Sequence, residues 1–116
     1  MIDDKRLENE LDSISVRLDL EMEALRTGGD ENSTPVEEVL KQGKTHIVQA
    51  LNAVRNGIFT LNTISEQLIA CGGEISKAIF YAKELDVSDS SNVPSEKYII
   101  MLEKVIEKTK ILRNQL

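Results

Sequence analysis

The chain has 116 residues, 41% of them hydrophobic, which is one domain's worth of polypeptide with enough apolar material for a core. Aromatic residues make up only 3% and Trp is absent, so that core must be filled by Leu, Ile, Val and Ala, the side chains of helical seams. A net charge of −6 argues against duplex nucleic acid as a general partner, because neutralising phosphates takes clustered Lys and Arg.

The first element is the run "RLENELDSISVRLDLEMEAL". Leu7, Leu11, Ile14, Leu18, Met22 and Leu25 recur at spacings of three and four. That spacing predicts an amphipathic helix over about 3–26. Asp3 and Asp4 lie where the helix dipole favours negative charge, and Arg26 lies at the opposite end. The breaker cluster "TGGDENSTP" then stops the helix, since Gly28 and Gly29 permit a left-handed cap.

A second helix is expected from about residue 35. Ser33 or Thr34 is a capping residue, Pro35 suits the first helical position, and Glu37 and Glu38 fall in the first turn. From Leu40, alternating steps of four and three reach Ile47, Leu51, Val54, Ile58, Leu61, Leu68, Gly72, Ile75, Ile79 and Ala82, with Lys44 and Ser65 as the polar exceptions. This heptad seam predicts one long helix over about 35–85. Its weak point is the pair Gly72-Gly73, where the helix is expected to run through, kink or break. Each glycine costs roughly 0.8–1 kcal/mol in a helix interior. Gly72 also lies on the seam, where it would let another helix approach closely.

A polar segment, "DVSDSSNVPSEK", precedes the last helix, expected over about 94–115. Tyr98, Leu102, Val105, Thr109, Leu112 and Leu116 form its stripe, and Ile99 and Ile106 widen it. Lys104, Lys108, Lys110 and Arg113 suit the negative end of the dipole. The fold class is therefore all-α, in a single domain over 1–116. Two layouts fit. An unbroken central helix of about 50 residues would span roughly 75 Å, with helices of about 33 Å folded along each half, giving an elongated hairpin. A break would give a compact antiparallel bundle.

Charge is unevenly spread. Residues 1–41 hold 12 acids against 5 bases, whereas residues 95–116 hold 3 against 5. The acidic excess reads as a solvated face, with a surface for a basic partner as the sharper alternative. Cys71 is the only cysteine, so no internal disulfide forms. No signal-like leader or long apolar run is seen, and an intracellular location (cytoplasmic or nuclear) without membrane insertion is expected.

Chemistry-bearing constellations are few. His46 is the sole histidine and is expected on a helix face, and Cys71 is expected as a small buried hydrophobe. No Glu-x-x-His pair, ordered calcium loop or phosphate-binding glycine loop occurs, so no metal, cofactor or catalytic residue is assigned and no enzyme is expected. The leading expectation is a non-catalytic helical subunit that joins a larger homo- or hetero-oligomeric complex by coiled-coil or bundle packing. Its interface would be the seam residues Leu40, Ile47, Leu51, Val54, Ile58, Leu61, Leu68, Gly72, Ile75 and Ile79. In layout alone the chain is similar to small helical-hairpin subunits of kinetochore, microtubule-attachment or vesicle-tethering complexes; no motif carries that likeness. The competing expectation is a self-contained bundle, a chaperone or adaptor holding a partner helix in a groove.

Overall fold

Asp3 opens the first helix: its carboxylate accepts the Arg6 N–H at 2.7 Å, satisfying a donor that has no partner within the helix. In a computed structural model, which describes residues 3–27, 34–88 and 96–116 and the side chains within 3–23, 36–83 and 99–116, α1 then runs Asp4–Thr27. Leu7, Leu11, Ile14, Leu18 and Met22 are all buried, the stripe that the spacing predicts. Leu25 and the cap residues Ser33 and Thr34 lie outside the described side chains, as do Pro35, Pro94 and Tyr98.

The long second helix is not continuous, and it does not divide at the glycine pair. α2 runs Thr34–Arg55 and α3 runs Leu61–Ser88, straight through Gly72 and Gly73. The division lies at 56–60. Gly57 takes φ +68°, the left-handed conformation that side-chain-bearing residues resist. The Ile58 N–H donates to the Ala53 carbonyl at 3.0 Å, and the Gly57 N–H donates to the Val54 carbonyl at 3.1 Å. Those two bonds are the Schellman pattern that closes a helix C-terminus. Thr60 caps the next helix, its hydroxyl accepting the Thr63 N–H at 3.1 Å. Phe59 just before the cap packs on the core and Ile64 four residues after it is fully buried, a hydrophobic staple that sets the entry angle. α4 runs Glu96–Gln115, and the expected start at 94 lies outside the described residues.

Division at 56–60 folds what would have been a 75 Å rod back on itself. The molecule measures 46 × 21 × 17 Å, and its long dimension is close to the roughly 42 Å of the 28-residue α3. Contacts run in opposite order along neighbouring helices. Arg55 near the end of α2 meets Glu8 near the start of α1 at 2.9 Å, while Lys44 meets Asp19. His46 meets Gln67, and Gly43, a turn earlier in α2, faces Cys71 and Ile75 in α3. The described chain is all-helical, four helices packed together with no strand.

One core joins all four helices: the α1 stripe, Leu40, Ile47 and Leu51 from α2, Ile64, Leu68, Cys71 and Ile75 from α3, and Leu102, Val105 and Leu112 from α4. Each such side chain contributes roughly 1.5–3 kcal/mol by leaving water. The exposed ion pairs on the α1–α2 face contribute about 0–1 kcal/mol each, so burial decides the fold. Gly72 faces α4, but a Cβ there would lie 3.5 Å from Thr109 Oγ1, an ordinary contact, so the helix pairing does not require a glycine at this position. Thr109 is buried, and its hydroxyl is satisfied by the Ile106 carbonyl at 2.6 Å.

Candidate functional site

The seam residues expected at an intermolecular interface are mostly inside the chain. Leu40, Ile47, Leu51, Val54, Leu68, Ile75 and Ile79 are all buried in the common core. Ile58 (78% exposed) and Leu61 (38% exposed) sit at the α2–α3 turn, and Gly72 is half-buried beneath α4. Seven of the ten side chains thus offer no surface to a partner.

Apolar surface remains elsewhere. The least extensive of the four principal helix pairings is between the first and last helices, α1 and α4. Between them lies a groove of about 300 Å³. From α1 it is lined by Ser13, Val16, Arg17 and Leu20, and from α4 by Lys104, Val105 and Lys108. Val16 and Leu20 stand four residues apart on the side of α1 turned away from its buried stripe, and each is half-exposed. Ile100 and Ile111 on α4 are half-exposed as well, and with Lys104 they follow a helical i, i+4, i+11 spacing along the outer shoulder.

Polar contacts cross this seam sparingly. Lys108 Nζ donates to Ser13 Oγ, and Arg17 Nη2 lies 3.8 Å from the Met101 sulfur. Arg17 also stands 4.0 Å from Glu21, one turn along α1. Glu21 is a buried carboxylate, and burial pushes its pKa up despite the opposing pull of Arg17.

A second groove, about 420 Å³, lies between α1 and α2 and is lined by Asp19, Met22, Lys41, Lys44, Thr45, Val48 and Gln49. Here the Lys44–Asp19 ion pair spans the helices, and neither Met22 nor Val48 is among the exposed large hydrophobics. Of these two grooves, the α1–α4 groove is the one lined by exposed apolar side chains, Val16 and Leu20.

The remaining chemistry-bearing residues are held by the fold. His46 Nδ1 is 2.9 Å from Gln67 Oε1, and Gln67 Nε2 donates in turn to Gln49 Oε1 at 3.3 Å, a clip between α2 and α3. The Cys71 thiol is buried, and desolvation, aided by the Glu74 carboxylate, pushes its pKa up to about 12. Among the described residues no group of three or more His, Cys, Asp or Glu side chains is placed to hold a metal ion. Among them, too, no helix is long and apolar enough to cross a membrane.

Val16 and Leu20 went unassigned in the sequence because the regular stripe on the opposite face absorbs the apolar count of α1. The signal available was an i, i+4 apolar pair on an otherwise polar face. No protein-family model, curated protein or solved structure matches the chain.

Proposed function

We propose that the chain is a non-catalytic interaction module, an antiparallel up-and-down bundle that seats a helical segment of a partner protein in the α1–α4 groove. The observation that carries this reading is the open α1–α4 seam, with Val16 and Leu20 half-exposed over it while the heptad seam is buried internally. A helix laid in such a groove anchors through residues at i, i+3, i+4 and i+7. The span from Ser13 to Leu20 is roughly 10 Å, or two helical turns. Of the two expectations drawn from the sequence, this is the adaptor. The likeness to rod-shaped complex subunits loses its basis once the central helix is divided.

A second reading keeps the oligomeric subunit. It is favoured by Ile69, Phe80 and Tyr81 on α3, all more than a third exposed and separate from the α1–α4 groove. Light scattering over a dilution series separates the two: a constant monomer favours the groove-binding module, whereas a concentration-dependent oligomer lost on Phe80→Glu favours the subunit.

The groove itself is tested with a neutral amphipathic peptide of Leu, Ala and Gln, titrated to millimolar into isotope-labelled protein. Amide shifts confined to residues 13–20 and 101–111, and lost in Leu20→Asp, are expected. Shifts elsewhere, or none, would overturn the proposal.

A further inference from the structure

The two long seams of α1 differ in how their cations are neutralised. On the α2 side, Arg55 meets Glu8 at 2.9 Å and Asp12 at 3.9 Å, and Lys44 meets Asp19. On the α4 side, three cations line one groove, Arg17, Lys104 and Lys108. Lys108 is directed to the neutral Ser13 hydroxyl, and among the described residues the buried Glu21, at 4.0 Å, is the one carboxylate within ion-pair distance of Arg17. Among the described residues no carboxylate lies within ion-pair distance of Lys104 or Lys108, although the chain as a whole carries a net −6. A basic rim around an apolar floor is thus set into an acidic molecule.

We infer that the occupant of the α1–α4 groove is an acidic amphipathic helix, with an apolar stripe for Val16, Leu20 and Val105 and flanking Asp or Glu residues for Arg17, Lys104 and Lys108. The inference rests on the groove being a helix-binding site and adds the sign of the ligand's charge. It reverses the basic target that the acidic N-terminal third suggests from sequence. The local field decides, because charges beyond about 8–10 Å are screened at physiological salt. On α1, Asp12 and Asp19 face cations on the opposite seam, and Glu21, one turn from Arg17, is buried. The apolar floor favours a peptide over a nucleic acid strand, which would need aromatic platforms to stack its bases. Lysines and an arginine at a groove rim set partner sign and encounter rate more than final affinity.

Three peptides with one apolar stripe and Glu, Gln or Lys flanks test this by anisotropy and amide shifts at physiological salt. Each exposed pair multiplies affinity about two-fold, so the Glu peptide is expected to bind about tenfold tighter than the Gln peptide. The Lys peptide is expected to be weaker than both, and added salt to shrink the spread. The double variant Lys104→Glu, Lys108→Glu reverses the sign of the rim, giving up the Lys108–Ser13 hydrogen bond, and is expected to invert the order. Equal binding of all three peptides in the groove would overturn the acidic preference and leave the helix-binding reading standing. Tighter binding by the Lys peptide would also overturn it. Failure of all three to perturb residues 13–20 and 101–111 would remove the helix-binding reading and the inference with it.

Discussion

Two glycines in this chain carry opposite predictions, and together they test where the second helix is divided. Gly57 stands at φ +68° with nothing within 4 Å of a Cβ built on it, so Gly57→Ala meets backbone strain and no clash. An L-residue in the left-handed region costs about 1–2 kcal/mol, offset by about 0.4–1 kcal/mol from the stiffer unfolded chain, a net loss of about 1 kcal/mol. Gly73 lies within α3 and likewise has open space around its Cβ position. Gly73→Ala therefore gains the helix-propensity term of about 0.8–1 kcal/mol without steric cost. Gly72→Ala gains nearly as much, because its Cβ would touch Thr109 Oγ1 at an ordinary 3.5 Å. For 116 residues the unfolding entropy is about 0.24 kcal/mol/K, so 1 kcal/mol moves Tm by about 4 °C. Thermal unfolding followed by circular dichroism should show Gly57→Ala about 4 °C below wild type and Gly73→Ala about 4 °C above it. The reverse ordering would place the turn at 72–73 and refute the architecture.

The heptad-seam residues make a second contrast. Leu68→Ala should cost about 2–5 kcal/mol in urea unfolding, since the side chain is 1% exposed, whereas Leu61→Asp, in the first turn of α3, should change stability by less than about 0.5 kcal/mol. A large loss from Leu61→Asp would restore it to a packed interface. Glu21 has a folded-state pKa above its unfolded value, so its contribution favours folding at pH below about 4.5 and is lost as pH rises through the folded value. Glu21→Gln is accordingly expected to match wild type in acid and to exceed it in stability at pH 7; a variant less stable at pH 7 would mean that the Arg17 contact outweighs burial. With its pKa at about 12, Cys71 should hold only about 10⁻⁴ of its thiol as thiolate at pH 8, so labelling of the native protein by a disulfide reagent should follow unfolding kinetics. A fast denaturant-independent reaction would show the thiol to be accessible.

How much of this could be read from the sequence depended on how extensively each helix packs on its two neighbours. α1 buries one regular stripe, and Leu7, Leu11, Ile14, Leu18 and Met22 were legible at once from spacing alone. α3 packs on both α2 and α4, so its buried arc is broad. Residues Leu68, Ile75, Ile79 and Ala82 satisfy the heptad count begun at Leu40, while Ile64, Cys71 and Ala78 belong to the same arc in another phase. The count therefore passed unbroken through a turn, with exposed Ile58 and Leu61 filling its slots. The local chemistry was there to find: Asn56-Gly57 ends one helix and Thr60-x-x-Thr63 starts the next. Gly72-Gly73 looked the stronger breaker because adjacent glycines weaken a helix by about 2 kcal/mol, yet that is small beside the burial secured by a 28-residue element. The groove was less legible than the fold, since Val16, Leu20, Lys104 and Lys108 come together only when the two ends of the chain are brought side by side.

That meeting of the ends bears on how the protein folds and opens. Contacts α1–α2, α2–α3 and α3–α4 join sequence neighbours and close short loops. The bonds Arg17 to Met101 and Lys108 to Ser13 instead span 84 and 95 residues. Such closure carries the largest loop entropy and the fewest compensating contacts, so it belongs late in folding and early in opening. Hydrogen exchange would then follow a gradient, slowest in the α2–α3 hairpin and fastest on the paired termini. A helix lodged between α1 and α4 would act as a clasp on that ring, slowing exchange far from the residues it touches.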